Sequence, residues 1–223
     1  MTIYERALEF VPDGAAIGLG SGRAAAAFIQ LLGERVKAGL RVRGVPTSRA
    51  SADLATRNGI PVVSLEEAMP LTVTVDGADE VDPHLNLIKG WGRALVREKI
   101  VAAASRVRVI LVGPGKEVPV LGTQGNLPVE VVPFALPLCV ARLRDLDLRP
   151  VPYQVDGKPF LSDNGNTILD CGVGPIADPA DLEVRIRAIP GVVGTGLFLG
   201  MADVVLVGDD QFRLKDERRR DRV

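Results

Sequence analysis

In the first half of the chain, short apolar runs alternate with amphipathic stretches and glycine-containing turns. Residues 15–19 predict a strand, followed by Gly20-Ser21-Gly22 and a helix whose apolar face is Ala24, Phe28, Leu31 and Leu32. Residues 41–45 predict a second strand, then Pro46-Thr47-Ser48 and a helix closed by Asn58-Gly59. Residues 61–63 predict a third, and 71–75 a fourth that runs into Asp76-Gly77-Ala78-Asp79. A helix over 92–105 leads to a fifth strand at 107–112. Strands alternating with helices predict a parallel sheet covered on both faces. Ligands of such sheets bind beyond the carboxyl ends of the strands. Gly20-Ser21-Gly22, Thr47-Ser48 and Asp76 to Asp79 all fall at such ends.

Near Leu127 the rhythm changes. Strands are predicted at 129–132, 151–155 and 167–170, helices at 134–146 and 179–188, and a further strand from Val192. That β-α-β-β-α-β order is the split arrangement of a ferredoxin-like module. A last strand at 202–207 is expected to rejoin the first sheet. The expected organisation is a Rossmann-like α/β domain at 1–126, rejoined by 200–223, with a smaller ferredoxin-like α+β lid domain at 127–199. The charge run from Lys215 to Asp221 reads as a solvated tail.

Composition narrows the function classes. The 223 residues are 47% hydrophobic and 25% charged, which is ordinary globular usage and excludes a disordered chain. Lys and Arg number 27 against 28 Asp and Glu, so no net basic field attracts nucleic acid or an anionic membrane. Aromatics at 4% argue against base-stacking platforms. The apolar stretches are too short to span a bilayer. Met1-Thr2-Ile3-Tyr4-Glu5-Arg6 lacks the basic-then-apolar order of a secretion signal. Cys139 and Cys171 lie in separate segments and suggest no disulfide framework. The expectation is a cytoplasmic protein with reduced thiols. With a single histidine, any Ser-His-Asp or Cys-His relay would run through His84, which reads instead as a turn residue. Proton transfer is left to carboxylates and lysines.

Three groups of residues carry candidate chemistry. Gly18-Leu19-Gly20-Ser21-Gly22-Arg23 approaches a dinucleotide fingerprint, but arginine stands where the last glycine belongs. Nor does an acidic residue end the second strand to hold a ribose. Free N–H groups at the following helix N-terminus suit an anion, phosphate above all; the alternative is a tight turn without ligand. Asp76, Asp79, Glu80 and Asp82 crowd ahead of Lys89. They fit a magnesium site, a solvated acidic turn, or a pocket in which Lys89 balances Asp76 and Asp79 over a polyhydroxylated substrate. Glu98, on its predicted helix, has Ala94, Leu95, Val101 and Ala102 at three and four residues and no cation among them. Apolar surroundings would desolvate its carboxylate and raise its pKa, as a general base requires; the alternative is a glutamate reaching past small neighbours to water or pairing with a distant arginine.

The run from Val75-Asp76-Gly77-Ala78-Asp79-Glu80 through Leu87-Ile88-Lys89-Gly90 to Arg97-Glu98-Lys99 closely resembles ribose-5-phosphate isomerase of the A type. So do Val45-Pro46-Thr47-Ser48, Leu127-Pro128-Val129-Glu130-Val131, Asp163-Asn164-Gly165-Asn166 and Ile189-Pro190-Gly191-Val192-Val193. The resemblance covers nearly the whole chain in order. It implies interconversion of ribose 5-phosphate and ribulose 5-phosphate in the pentose phosphate pathway, without metal or organic cofactor, by a homodimer or homotetramer. It implies Glu98 as general base and Asp76, Asp79 and Lys89 as the polar catalytic pocket. Substrate contacts would extend over Ser21, Gly22, Arg23, Ala24, Asp76, Gly77, Ala78, Asp79, Lys89, Gly90, Trp91, Gly92 and Lys116. Three segments depart from the family pattern: Gly20-Ser21-Gly22-Arg23-Ala24-Ala25, Gly90-Trp91-Gly92-Arg93 and Gly113-Pro114-Gly115. The rival readings are a non-catalytic sugar-phosphate sensor and an isomerase of another phosphosugar.

Overall fold

The computed structural model describes residues 1–220. The chain forms two compact units, the first made of residues 1–78, 97–117 and those from Met201 onward. It opens with α1 (Ile3–Leu8), β1 (Ala15–Leu19), α2 (Arg23–Lys37), β2 (Val42–Pro46), α3 (Arg49–Arg57), the single turn α4 (Leu65–Ala68) and β3 (Leu71–Gly77). The second unit then begins with β4 (Glu80–Val81) and β5 (Leu87–Ile88). Helix α5 (Leu95–Ala103) returns the chain to β6 (Ser105–Val112). The second unit resumes with β7 (Asn126–Val131), α6 (Leu136–Arg144), β8 (Arg149–Pro152), the small hairpin of β9 (Gln154–Val155) and β10 (Lys158–Pro159), and β11 (Thr167–Gly172). It closes with α7 (Pro179–Arg187), β12 (Val192–Thr195) and β13 (Leu197–Phe198). β14 (Val204–Gly208) and β15 (Leu214–Arg219) complete the first unit.

In the first unit the sheet order is β15-β14-β6-β3-β1-β2, parallel throughout except for the antiparallel edge strand β15. All residues of β1 and β14 are buried, as strands covered on both faces must be. One face packs Ile17, Leu19, Val73, Val75 and Leu111 against Phe28, Ile29 and Leu32 of α2. The other packs Ala16, Val45 and Leu71 with Val101 of α5. A β-carbon at Gly18 would stand 2.8 Å from the Thr74 Cβ and closer still to the Val101 side chain. Only glycine lets α5 lie this near to β1.

Two expectations are corrected here. Residues 61–63 make a single bridge, Gly44 to Val62, instead of a strand. Proline at 61 has no N–H to contribute to a ladder, and two hydrogen bonds around Gly44 are all that form. The charged run from Lys215 is an edge strand, not a solvated tail; its last residue, Asp221, lies outside the described residues. Ladder pairing with β14 is joined by the Arg6–Glu217 and Arg218–Glu117 ion pairs. Alternating charge is what protects such an edge from further pairing.

The second unit contains the expected β-α-β-β-α-β order, closed into one antiparallel sheet ordered β12-β7-β11-β8. Its core joins Leu127, Val129, Val131, Leu143, Leu169 and Ile186 with both cysteines. Cys139 and Cys171 are free and buried, and burial, with the Asp170 charge adding, pushes the Cys171 thiol up to about 12. A second small sheet, β13-β5-β4, was not expected from the sequence. It moves the boundary: residues 79–96 and 118–126 belong to this unit and not to the first. Ile88 sits in its core, β5 pairs with β13, and the Val118 N–H donates to the Val81 carbonyl. Strands two residues long are too short to display an alternation.

Candidate active site

In the first unit, β1 feeds rightward through α2 to β2, while β3 lies on the other flank of β1. The order of strands therefore reverses between β1 and β3, which is where open α/β sheets hold ligands. Gly20 follows β1 there and Asp76 lies near the end of β3. Asp76 is buried, and its Oδ1 accepts the Ser21 N–H at 3.1 Å and the Gly77 N–H at 2.7 Å. The Ser21 hydroxyl meets Thr47 Oγ1 and Ser48 Oγ at 2.8 Å and Ser51 Oγ at 3.2 Å. Ser51 Oγ in turn donates to the Gly20 carbonyl. The loops after β1, β2 and β3 are thus tied by hydroxyls and one carboxylate.

Gly22, at φ +89°, is the N-cap of α2 and offers no side chain to the first-turn N–H groups. That first turn holds no acidic residue. Arg23 is exposed at its start and makes no side-chain hydrogen bond or ion pair among the described residues. The Ala24 methyl lies 3.6 Å from where a β-carbon on Gly77 would stand, so the turn adjoins the end of β3. Ala78, half-buried, follows it. Lys116, also half-buried, sits in the loop after β6, at the carboxyl end of that strand.

Glu98 lies in the first turn of α5 and is 4% exposed. The helix begins at Leu95 and not at Gly92, so Ala94 precedes it, while Leu95, Val101 and Ala102 remain helical neighbours and are buried. Ala104, just after α5, accepts from the Leu71 N–H that starts β3, so the helix runs antiparallel to the strands. Val101 packs at the level of Gly18. Three residues of helix rise about 4.5 Å, a little more than one strand residue. Glu98 therefore stands near the level of Val75 and Asp76, toward the carboxyl ends.

In the second unit, Asp79 is half-buried and its Oδ2 accepts the Trp91 N–H at 3.0 Å. Lys89 is 3% exposed, with Nζ 5.4 Å from the Phe198 ring centre. Gly90, at φ +102°, opens a turn closed by the Arg93 N–H on the Gly90 carbonyl; a β-carbon there would stand 2.8 Å from that of Leu95. Gly92 is exposed in the same turn. The remaining acids of the cluster have other work. Buried Glu80 accepts the Gly122 and Gln124 N–H groups at 2.6 and 2.8 Å. Asp82 accepts from the His84 and Asn86 backbone and the Asn86 amide. His84 is an exposed turn residue. Among the described residues no three His, Cys, Asp or Glu side chains gather to hold a metal ion.

Sequence reasoning missed the second hydroxyl layer, Ser51, although its place four residues after Thr47 on a helix start was a usable signal. It named Arg93 only as part of a departure from the family pattern, with no partner for its side chain.

The model of the family described as ribose 5-phosphate isomerase A (phosphoriboisomerase A) matches residues 43–211. A ribose-5-phosphate isomerase A of Roseiflexus castenholzii is 50% identical over 210 residues, covering 92% of this chain and 90% of its own. That of Bradyrhizobium diazoefficiens is 47% identical over 229 residues, covering 96% and 93%. Among solved structures, a D-ribose-5-phosphate isomerase in complex with phospho-erythronic acid superposes with a TM-score of 0.92 at 39% identity, covering 98% of this chain and 96% of that one. The enzyme of Methanocaldococcus jannaschii gives 0.91 at 38% identity, with the same coverage. On sequence and fold together, this chain belongs to the ribose 5-phosphate isomerase A family.

Proposed function

We propose that this chain interconverts ribose 5-phosphate and ribulose 5-phosphate with Glu98 as the base. Glu98 takes the proton from C2 of the open-chain aldose, and the electron pair forms a C1–C2 double bond, leaving an enediolate. Returning that proton to C1, while the O2 hydroxyl proton passes to O1, completes the ketose. One carboxylate serves both carbon transfers, so no histidine is needed. Lys89 balances the charge that develops on the enediolate oxygen. Asp79, with Asp76, assists opening of the furanose ring. The 5-phosphate is held by N–H groups and side chains of Ser21, Gly22, Arg23 and Ala24, with Lys116 as a further contact. Gly77, Ala78, Gly90, Trp91 and Gly92 line the sugar.

The observation that carries this reading is the burial of Glu98 on an apolar helix face at the level of Asp76, where the strand order reverses. We place the enzyme in the cytoplasm as a homodimer or homotetramer, in the non-oxidative pentose phosphate pathway. No helix among the described residues is long and apolar enough to cross a membrane. The test is an isomerase assay on ribose 5-phosphate beside other aldose and ketose phosphates. Turnover of ribose 5-phosphate above all others is expected; faster turnover of another phosphosugar overturns the substrate, and none at all overturns the activity.

A further inference from the structure

The turn from Gly90 to Arg93 is held by the side chains of Trp91 and Arg93, neither of which takes part in the proton transfers proposed above. The Trp91 indole N–H donates to the Asn126 carbonyl at 3.3 Å. Arg93 Nη1 meets Asp170 Oδ1 at 2.5 Å, and its guanidinium lies 3.9 Å from the centre of the Tyr153 ring. Asp170 Oδ1 also accepts from the Asn126 amide at 3.1 Å, and Tyr153 is itself fixed edge-on by Phe160. Asn126 and Asp170 belong to β7 and β11, paired strands of the four-stranded sheet, and Tyr153 follows β8 on the same sheet. The turn is thus anchored to the four-stranded sheet of its unit.

Arg93 has φ +66°, a left-handed backbone that a residue other than glycine keeps only where its surroundings hold it. The two glycines of the turn supply no stiffness of their own. Yet the N–H of Trp91 is what meets Asp79, and Lys89 immediately precedes the turn. Freed of both anchors, the turn would keep its hinges and lose its position.

We propose that Trp91 and Arg93 form a two-point clasp that locks the Gly90–Arg93 turn to the four-stranded sheet and thereby positions Asp79 and Lys89. They are positioning residues: Arg93 acts through Asp170 and Tyr153, Trp91 through Asn126. This rests on the isomerase reading for its kinetic consequence, but its structural half is measurable alone, because Trp91 is the single tryptophan of the chain and reports on the turn directly.

The test is Arg93→Ala in the full chain, assayed with ribose 5-phosphate and by Trp91 fluorescence. Misplacing groups that act in the transition state is expected to lower kcat ~10-fold, with KM changed by less than about threefold. Trp91 emission should shift to the red and become more open to acrylamide quenching. Tyr153→Phe keeps the ring face and should retain wild-type kcat and emission, whereas Tyr153→Ala should behave like Arg93→Ala. If Arg93→Ala does not fold, Asp170→Asn takes its place under the same criteria. A kcat within about twofold of wild type, or a lowered kcat with unchanged Trp91 emission and quenching, overturns the clasp. A wild-type protein inactive on ribose 5-phosphate overturns the isomerase reading instead, and Trp91 emission and quenching in Arg93→Ala then decide the clasp on their own.

Discussion

Gly20 faces Asp76 so closely that a β-carbon at position 20 would stand 2.7 Å from the Asp76 Cα, and nearer still to its carboxylate. Backbone on one side and a hydrogen-bonded carboxylate on the other leave nothing cheap to move. Gly20→Ala is therefore expected to push Asp76 off the Ser21 N–H. Overpacking of this kind costs about 1–3 kcal/mol, and kcat/KM should fall by up to ~10²-fold if Asp76 shifts by an ångström. Urea unfolding and steady-state kinetics check both. Wild-type turnover in the alanine variant would show that the position of Asp76 is immaterial.

Replacing Glu98 by Gln keeps the shape of the side chain and removes its ability to accept a proton. Loss of a general base costs about 10²–10⁴-fold in kcat, and more where one group performs both transfers. Circular dichroism and calorimetric binding of a substrate analogue should remain close to wild type. Near-normal turnover would move the proton transfer to another residue.

Arg23 stands exposed at an uncapped helix N-terminus with no acidic neighbour in the first turn. A guanidinium there can offer phosphate a bidentate, charge-assisted contact. Arg23→Ala is expected to raise KM for ribose 5-phosphate by ~10-fold, in line with about 1.5–3 kcal/mol for hydrogen bonds to charged groups. The change in kcat should be small, since phosphate is gripped alike in ground and transition states. An unchanged KM would assign the phosphate to Ser21, Lys116 and backbone N–H groups.

Glu130 is fully buried on β7, and its Oε1 accepts from Ser162 Oγ at 2.9 Å, Asn164 Nδ2 at 3.0 Å and Asn166 Nδ2 at 2.9 Å. Glu130→Ala removes the shared acceptor from three donors. Chemical denaturation should show a loss of about 3 kcal/mol or more, while Glu130→Gln, which retains an acceptor oxygen, should lose less. Equal losses in the two variants would show that packing alone matters at this position.

Asp13 accepts from the Arg41 guanidinium and backbone N–H, which hold its carboxyl down at about 2 against an ordinary 3.8. A lowered folded-state pKa means stability that is present above pH 3.8 and lost as pH falls toward 2. The difference in Tm between wild type and Asp13→Asn should therefore shrink as pH is lowered through that window. Added salt should narrow it as well, because the pair is exposed. A difference that is constant from pH 5 to 2 would remove Arg41 as its source.

The sequence by itself determined the class of the fold and the family, and it named the candidates for the chemistry. Buried parallel strands such as β1 and β14 are continuous apolar runs, and the helices over them carry a three-to-four repeat, so both are visible locally. Glycine and carboxylate positions such as Gly20, Asp76 and Glu98 could be singled out as candidates because turns and proton transfers accept few residue types. What the tertiary structure decided was which of the acids are committed. Asp76, Asp79, Glu80 and Asp82 look alike in the chain. Only folding shows that Glu80 holds the loop at Gly122 and Gln124 while Asp82 closes the turn at His84 and Asn86. The same is true of the boundary between units, of the strand made from the charged terminus, and of Arg93 locked on Asp170, 77 residues away. Each depends on a partner distant in sequence, and no local periodicity encodes the pairing of residues that meet only when the chain has closed.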